Sequence, residues 1–192
     1  MTDSLDIEIH QRTRVYDGFF KLDKLEISYA TFSNQRTPQH KREVLLREPT
    51  VSALLFDREK EVFLLTEQFR IGAFINQDAP LLLELPGGII EQGESIETAI
   101  QREIVEETGY DIASLSTIGH FYLSPGGTSE KASLVAAQTS LESVGVYGAE
   151  GENESIRTHL FSFEQIDELL LSGRVSAITA SGLLWLQQQR SS

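Results

Sequence analysis

Residues 88–110 read Gly-Ile-Ile-Glu-Gln-Gly-Glu-Ser-Ile-Glu-Thr-Ala-Ile-Gln-Arg-Glu-Ile-Val-Glu-Glu-Thr-Gly-Tyr. Ser95 is placed to cap a helix, with Thr98 in the first turn, and Gly109 is placed to stop it. Between them the spacing predicts a helix of about 14 residues. Wound at about 100° per residue, Ile96, Ala99, Ile100 and Ile104 form one apolar stripe that should face a core. Glu103 and Glu107 fall inside that stripe, one turn apart, and Glu106 sits at its edge.

Two carboxylates at i and i+4 repel each other. Carboxylates aimed at a core also need a partner or a neutralising proton. A solvated acidic face would be laced with lysines, but this helix carries none, and Arg102 is its one basic residue. A divalent cation resolves both problems. An oxygen-only donor set in a chain without cysteine favours a hard ion, Mg²⁺, with Mn²⁺ as a possible substitute. Gly87-Gly88 ends the apolar run Leu81-Leu82-Leu83-Glu84-Leu85-Pro86 and is expected to start a loop. Glycine there lets the backbone approach a ligand closely.

The 192 residues, 40% of them hydrophobic, suffice for one domain with a full core, alone or with an arm. A net charge of −13 leaves no basic footprint for long nucleic acid, so no nucleic-acid partner is expected. Much of that charge serves solubility. No apolar run is long enough for a transmembrane helix, so no membrane partner is expected. The N-terminal stretch is acidic and lacks the basic and apolar regions of a signal peptide. Disulfides and thiol catalysis are excluded by the lack of cysteine, and the expected compartment is cytoplasmic. His10, His40, His120 and His159 are scattered, with no zinc spacing, and are expected on the surface or in strands.

Alternation over residues 7–32 predicts strands around a turn at Asp17-Gly18, followed by a polar connection at 33–40. Strands are expected at 42–46, 51–56, 62–68 and 81–85, with a hairpin turn at 57–60. After the helix, strands are expected at 117–123, 132–138 and 156–162, then helices at 163–171 and 177–189 separated by Gly173. Strands, a helix, more strands and closing helices indicate an α+β fold with a mixed sheet between helices.

The frame Gly88, five residues, Glu94, seven residues, then Arg102-Glu103-Ile104-Val105-Glu106-Glu107-Thr108-Gly109 resembles the Nudix box. That box marks hydrolases that cut a diphosphate joining a nucleoside to another group. Tyr110 departs from it, standing where the family more often has an aliphatic residue. The resemblance implies the Nudix fold, an α/β/α sandwich with a mixed β-sheet, preceded here by an N-terminal β arm over residues 1–45, with the hydrolase domain at 46–192. It implies that Glu103 and Glu107 are metal ligands and that Gly87 offers its carbonyl. Glu106 would be a further ligand or an outer support, and Arg102 would orient a box carboxylate.

Beyond the box, Ser124-Pro125-Gly126-Gly127-Thr128-Ser129-Glu130 follows the strand His120-Phe121-Tyr122-Leu123, with Pro125 sixteen residues past Gly109. This resembles the bacterial ADP-ribose pyrophosphatase subfamily, although GDP-mannose hydrolases carry a similar loop. Ser124, Pro125 and Gly126 would meet the terminal ribose or phosphates. Glu67-Gln68-Phe69-Arg70-Ile71 also resembles that subfamily, and Arg70 would hold a phosphate as a charge-assisted fork. Arg47, Ile89 and Glu130 lie near substrate-contact positions, with plain structural roles as the alternative. In the acidic loop Gly148-Ala149-Glu150-Gly151-Glu152-Asn153-Glu154-Ser155, the resemblance makes Glu152 the catalytic base and Glu154 a further metal ligand; Glu150 is the rival base. It also implies a homodimer whose arms cross, with Phe19, Phe20, Arg42 and Glu43 lining the adenine pocket. The activity implied is Mg²⁺-dependent hydrolysis of ADP-ribose to AMP and ribose 5-phosphate. The alternatives are another nucleoside diphosphate sugar such as GDP-mannose, or an inactive domain that senses nucleotides.

Overall fold

The computed structural model describes residues 5–148 and 154–190, and the chain divides into two compact units. The first comprises the residues up to Glu48 together with Tyr122–Lys131. Its antiparallel sheet runs β1 (Ile7–Asp17), β2 (Lys21–Tyr29), β3 (His40–Leu46), in that spatial order. The chain reverses after Asp17, where the Gly18 N–H bonds the Phe20 carbonyl at 3.1 Å. Asp23 of β2 is buried and held by Arg12 and Arg14 of β1. The Arg14 bond foremost keeps its carboxyl below the usual range. Every residue of β1 is exposed. The 122–131 segment joins this sheet through Leu45 N–H to Gly127 O at 2.8 Å and Ser129 N–H to Leu45 O at 3.0 Å.

The second unit comprises Pro49–Phe121 and Ala132–Ser192. Its strands begin with β4 (Thr50–Asp57) and β5 (Val62–Phe69), joined by the expected turn. A short helix α1 (Ile71–Ile75), β6 (Leu81–Glu84) and β7 (Gly87–Ile89) lead to α2 (Ile96–Thr108). Then come β8 (Ser116–Tyr122), β9 (Lys131–Gln138), β10 (Val146–Tyr147) and β11 (Ile156–Ser162). A 3-10 turn at Phe163–Gln165, α3 (Ile166–Leu171) and α4 (Ala177–Arg190) end it. The main path is β10-β11-β5-β4-β9-β8, with β6 beside β5 and β7 beside β4. β4 pairs parallel to β9 and antiparallel to β5 and β7, so the sheet is mixed.

Successive side chains of a strand point to opposite faces. Val51, Ala53 and Leu55 of β4 join Ala99, Ile100 and Ile104 of α2 in one buried cluster, with Val135 and Ala137 of β9. The opposite face receives α4. A Cβ on Gly182 would come within 4 Å of Leu85, Leu134 and Leu54, and Trp185 meets Phe56 edge-on at 6.3 Å between ring centroids. The sheet is therefore covered on both faces, which is why β4 and β5 read as nearly unbroken apolar runs. This is the α/β/α sandwich with a mixed sheet, and the three-stranded arm precedes it in sequence.

Four elements differ from the sequence expectation. Gly87-Gly88 does not begin a loop; it forms β7, in register with Ser52 and Val51. α1 and β10 were not expected, since five and two residues are too few to show a period. The helix expected over 163–171 opens as a 3-10 turn, with Ser162 and Gln165 forming a capping box.

Candidate active site

The ends of α2 are fixed locally. Ser95 is extended, and its Oγ accepts the Thr98 N–H at 3.1 Å. Gly109 takes the left-handed conformation that its lack of a Cβ permits, φ 71°, and donates to Val105 O at 3.0 Å. Packing then sets the rotation of the helix. Each buried isoleucine contributes about 1.5–3 kcal/mol, and Ile100 and Ile104 lie against the sheet. Glu107 lies on the same side as Ile100 and Ile104 and is carried inward with them, to 5% exposure.

β7 forms the seat under these carboxylates. Its Gly87 N–H donates to Glu107 Oε2 at 2.9 Å. A Cβ on Gly88 would lie 2.2 Å from Glu103 Oε1, and one on Gly87 would lie 2.1 Å from Val51 O. Gly87 is therefore required by its close approach to the backbone of the neighbouring strand, whereas a side chain at Gly88 would push the Glu103 carboxylate aside.

Arg102 ties the two ends of the motif together. Its Nε and Nη2 donate to Glu94 at 3.2 Å each, Nη1 to Glu103 Oε1 at 2.8 Å and to Glu106 Oε2 at 3.3 Å, and Nη2 to Ile89 O at 3.2 Å. All three nitrogens of the guanidinium are engaged. The Arg102 bond foremost holds the Glu94 carboxyl below its usual range, and the surrounding carboxylates hold Arg102 in its charged form. Glu94 had no expected role, although its fixed place in the frame was the available signal.

Burial first, and with it the charges of Glu103 and Glu154, push Glu107 up to about 8, against the Gly87 N–H and the charge of Arg70. The site thus concentrates negative charge that the protein alone compensates incompletely. Oxygen donors of this kind fit a hard divalent cation. Among the described residues no three acidic or imidazole side chains are gathered at cation spacing. Arg102 draws Glu103 to itself, and the Gly87 N–H holds Glu107. Glu152 and Glu150, the two candidate bases, lie outside the described residues.

The other residues named from sequence fall in two groups. In the second unit, Arg70 precedes α1 and donates from Nε to Glu84 Oε2 at 2.5 Å, so the Nη edge of its fork is the part suited to a phosphate. Ile89 is partly exposed in β7 and offers its carbonyl to Arg102. In the first unit, the Arg47 guanidinium lies over the Phe20 ring at 4.8 Å and 3.7 Å from Glu130. Ser129 brackets Arg47 by accepting its N–H at 2.9 Å and donating to its carbonyl at 3.2 Å. Phe19 meets Phe20 edge-on at 4.9 Å and is 83% exposed. Ser124, Pro125 and Gly126 form a turn whose Ser124 carbonyl accepts from Gly127 and Thr128. Arg42 and Glu43 are exposed in β3, adjacent on the strand and hence on opposite faces.

One cluster was not anticipated. Glu67 of β5 gathers Arg174 at 2.6 Å, His159 at 3.1 Å and Arg157 at 3.7 Å. Burial raises its carboxyl, but the bonds from Arg174 and His159 win and hold it below the usual range. A lone carboxylate in the run Phe63-Leu64-Leu65-Thr66-Glu67 was the visible signal; its partners come from distant parts of the chain.

The NUDIX domain model matches residues 46–180. The chain is 36% identical over 184 residues to the ADP-ribose pyrophosphatase of Escherichia coli (strain K12), covering 95% of this chain and 88% of that protein. It is 30% identical over 173 residues to the GDP-mannose pyrophosphatase of Enterobacter sp. (strain 638), covering 90% of each. A solved structure described as an ADP compounds hydrolase is similar in fold, with a TM-score of 0.75 and 19% identity, over 97% of this chain and 95% of that one.

Proposed function

Because the chain belongs to the NUDIX family, we propose that it is a Mg²⁺-dependent hydrolase of ADP-ribose, releasing AMP and ribose 5-phosphate. The observation that carries the reaction class is Glu107, a carboxylate buried beside Glu103 on a helix stripe that also packs the core. A fold without a use for it would place an apolar residue there, because burying a carboxylate is costly. The substrate is assigned on similarity to an ADP-ribose pyrophosphatase over nearly the whole chain.

Glu103, Glu107, Glu154 and the Gly87 carbonyl are the groups assigned to hold the cation. When bound there, a divalent cation neutralises charge on the diphosphate and lowers the pKa of water. Glu152 accepts the proton of the attacking water, whose oxygen joins one phosphorus as the bridging P–O bond breaks. The Nη edge of Arg70 takes a phosphate oxygen. Arg102 holds Glu103 in orientation through the contacts described above. The open Phe19 ring and the Arg47–Glu130 pair are suited to a base and its ribose. Ser124, Pro125 and Gly126 flank the sugar end, and Ile89 flanks the cation seat.

The arm is assigned to a homodimer, in which Phe19, Phe20, Arg42 and Glu43 of one protomer complete the substrate site of its partner. In support, β1 is exposed along its full length and displays Ile7, Ile9 and Tyr16.

The GDP-mannose pyrophosphatase relative supports a second reading with the same chemistry on another sugar. A panel of nucleoside diphosphate sugars with Mg²⁺, assayed for mononucleotide release, separates the two. ADP-ribose should show the highest kcat/KM. A higher value for GDP-mannose would transfer the assignment to that substrate, and no turnover of any diphosphate would leave a sensing domain.

A further inference from the structure

Tyr110 departs from the family pattern, and its hydroxyl makes bonds that an aliphatic residue lacks. We propose that Tyr110 is a positioning residue: its hydroxyl fastens the 142–143 backbone to the end of α2 and thereby sets where Glu154 stands against the box carboxylates. The proposal rests on the reading of Glu154 as a cation ligand.

The ring is half-buried and packs against the same core cluster as Ile96 and Leu115, as an aliphatic side chain would. The phenol oxygen accepts from the N–H groups of Glu142 and Ser143, at 2.9 Å each, and donates to Ser143 O at 2.9 Å. One donor and two lone pairs are the full capacity of a hydroxyl. Residues 141–145 belong to no strand, so their backbone groups must find partners elsewhere. Leu141 N–H takes Asp57 Oδ2 at 3.2 Å, Glu142 and Ser143 take Tyr110, and Gly145 N–H takes Thr158 Oγ1 at 2.7 Å.

The segment then enters β10. Its Tyr147 ring lies against Gly109, where a Cβ would come 3.0 Å from Cε1. Immediately after it, a Cβ on Gly148 would meet Glu154 O at 2.5 Å, so the two ends of the acidic loop meet there. Glu154 in turn bears on Glu107 electrostatically. Tyr110 is thus a point at which the end of α2 holds, by hydrogen bonds, the chain that leads towards Glu154. Leucine in its place would fill the ring's space and leave two backbone N–H groups without their acceptor.

Tyr110→Phe keeps the ring in the core and removes only the hydroxyl; Tyr110→Leu is the second variant. Amide hydrogen exchange over 142–148 of the metal-free protein should quicken about 5–10-fold in both. Mn²⁺ binding, followed by paramagnetic relaxation without substrate, should weaken about 10-fold. In a Glu154→Gln background, removing the hydroxyl should weaken Mn²⁺ no further, because the two residues act in series. Unchanged exchange, or an equal Mn²⁺ loss in both backgrounds, would overturn the proposal. Neither readout involves turnover, so a wrong substrate assignment shows separately, in the sugar panel.

Discussion

At the scale of single residues, Glu107 is a strongly perturbed carboxylate of the site. Its carboxyl is raised from about 4.5 to about 8 in the folded, metal-free protein. Between those values the folded state keeps a proton that the unfolded state has lost, so stability must fall as pH rises through that window. Without a cation, the contribution is full below about 4.5 and gone above about 8. Urea midpoints measured in chelator should therefore decline more steeply from acid to neutral pH for wild type than for Glu107→Gln. Equal slopes would contradict the burial seen here. The same substitution, or Glu103→Gln, should cut kcat by about 100-fold or more while the protein still folds. Much of this was legible in sequence, because the helical period alone places Glu103 and Glu107 among Ile100 and Ile104. The Glu67 cluster was not, since Arg157, His159 and Arg174 reach it only through strand pairing and the turn before α4.

At the scale of elements, α2 and β7 act as one unit. The helix was readable because its determinants are local: an N-cap at Ser95, a stop at Gly109 and a stripe between them. β7 was not, because its pairing with β4 is tertiary and its three residues are too few to show a pattern. The structure gives Gly88 a definite reason. Gly88→Ala would place a methyl group 2.2 Å from Glu103 Oε1, between two packed elements. Displacing that carboxylate by about 1 Å should lower kcat about 100-fold. Gly72→Ala, whose Cβ would meet nothing within 4 Å, is the control and should leave activity unchanged. If Gly88→Ala matches that control, Glu103 does not stand where the reaction needs it.

At the scale of the molecule, the chain forms two units, with the box carboxylates and Arg70 in one and Phe20, Arg47 and Glu130 in the other. The sequence showed an arm, but strand pairing also places the 122–131 segment with it, through Leu45 to Gly127 and Ser129. Such pairing over long separations leaves no local pattern to read. If arms are shared across a dimer, mixing a protein lacking residues 1–33 with Glu152→Gln should restore activity, since one site of each heterodimer combines a sound arm with a sound base. A fully active monomer in sedimentation would rule the shared site out. The proposed role of the box carboxylates is to hold the cation with which this chain hydrolyses a diphosphate. The most direct test strips the protein with chelator, adds ADP-ribose, and then restores Mg²⁺ while AMP and ribose 5-phosphate are followed. Both products should appear in equal amounts on addition of Mg²⁺ and not before, and Glu103→Gln should show neither. Equal release in chelator, or undiminished release by Glu103→Gln, would contradict it.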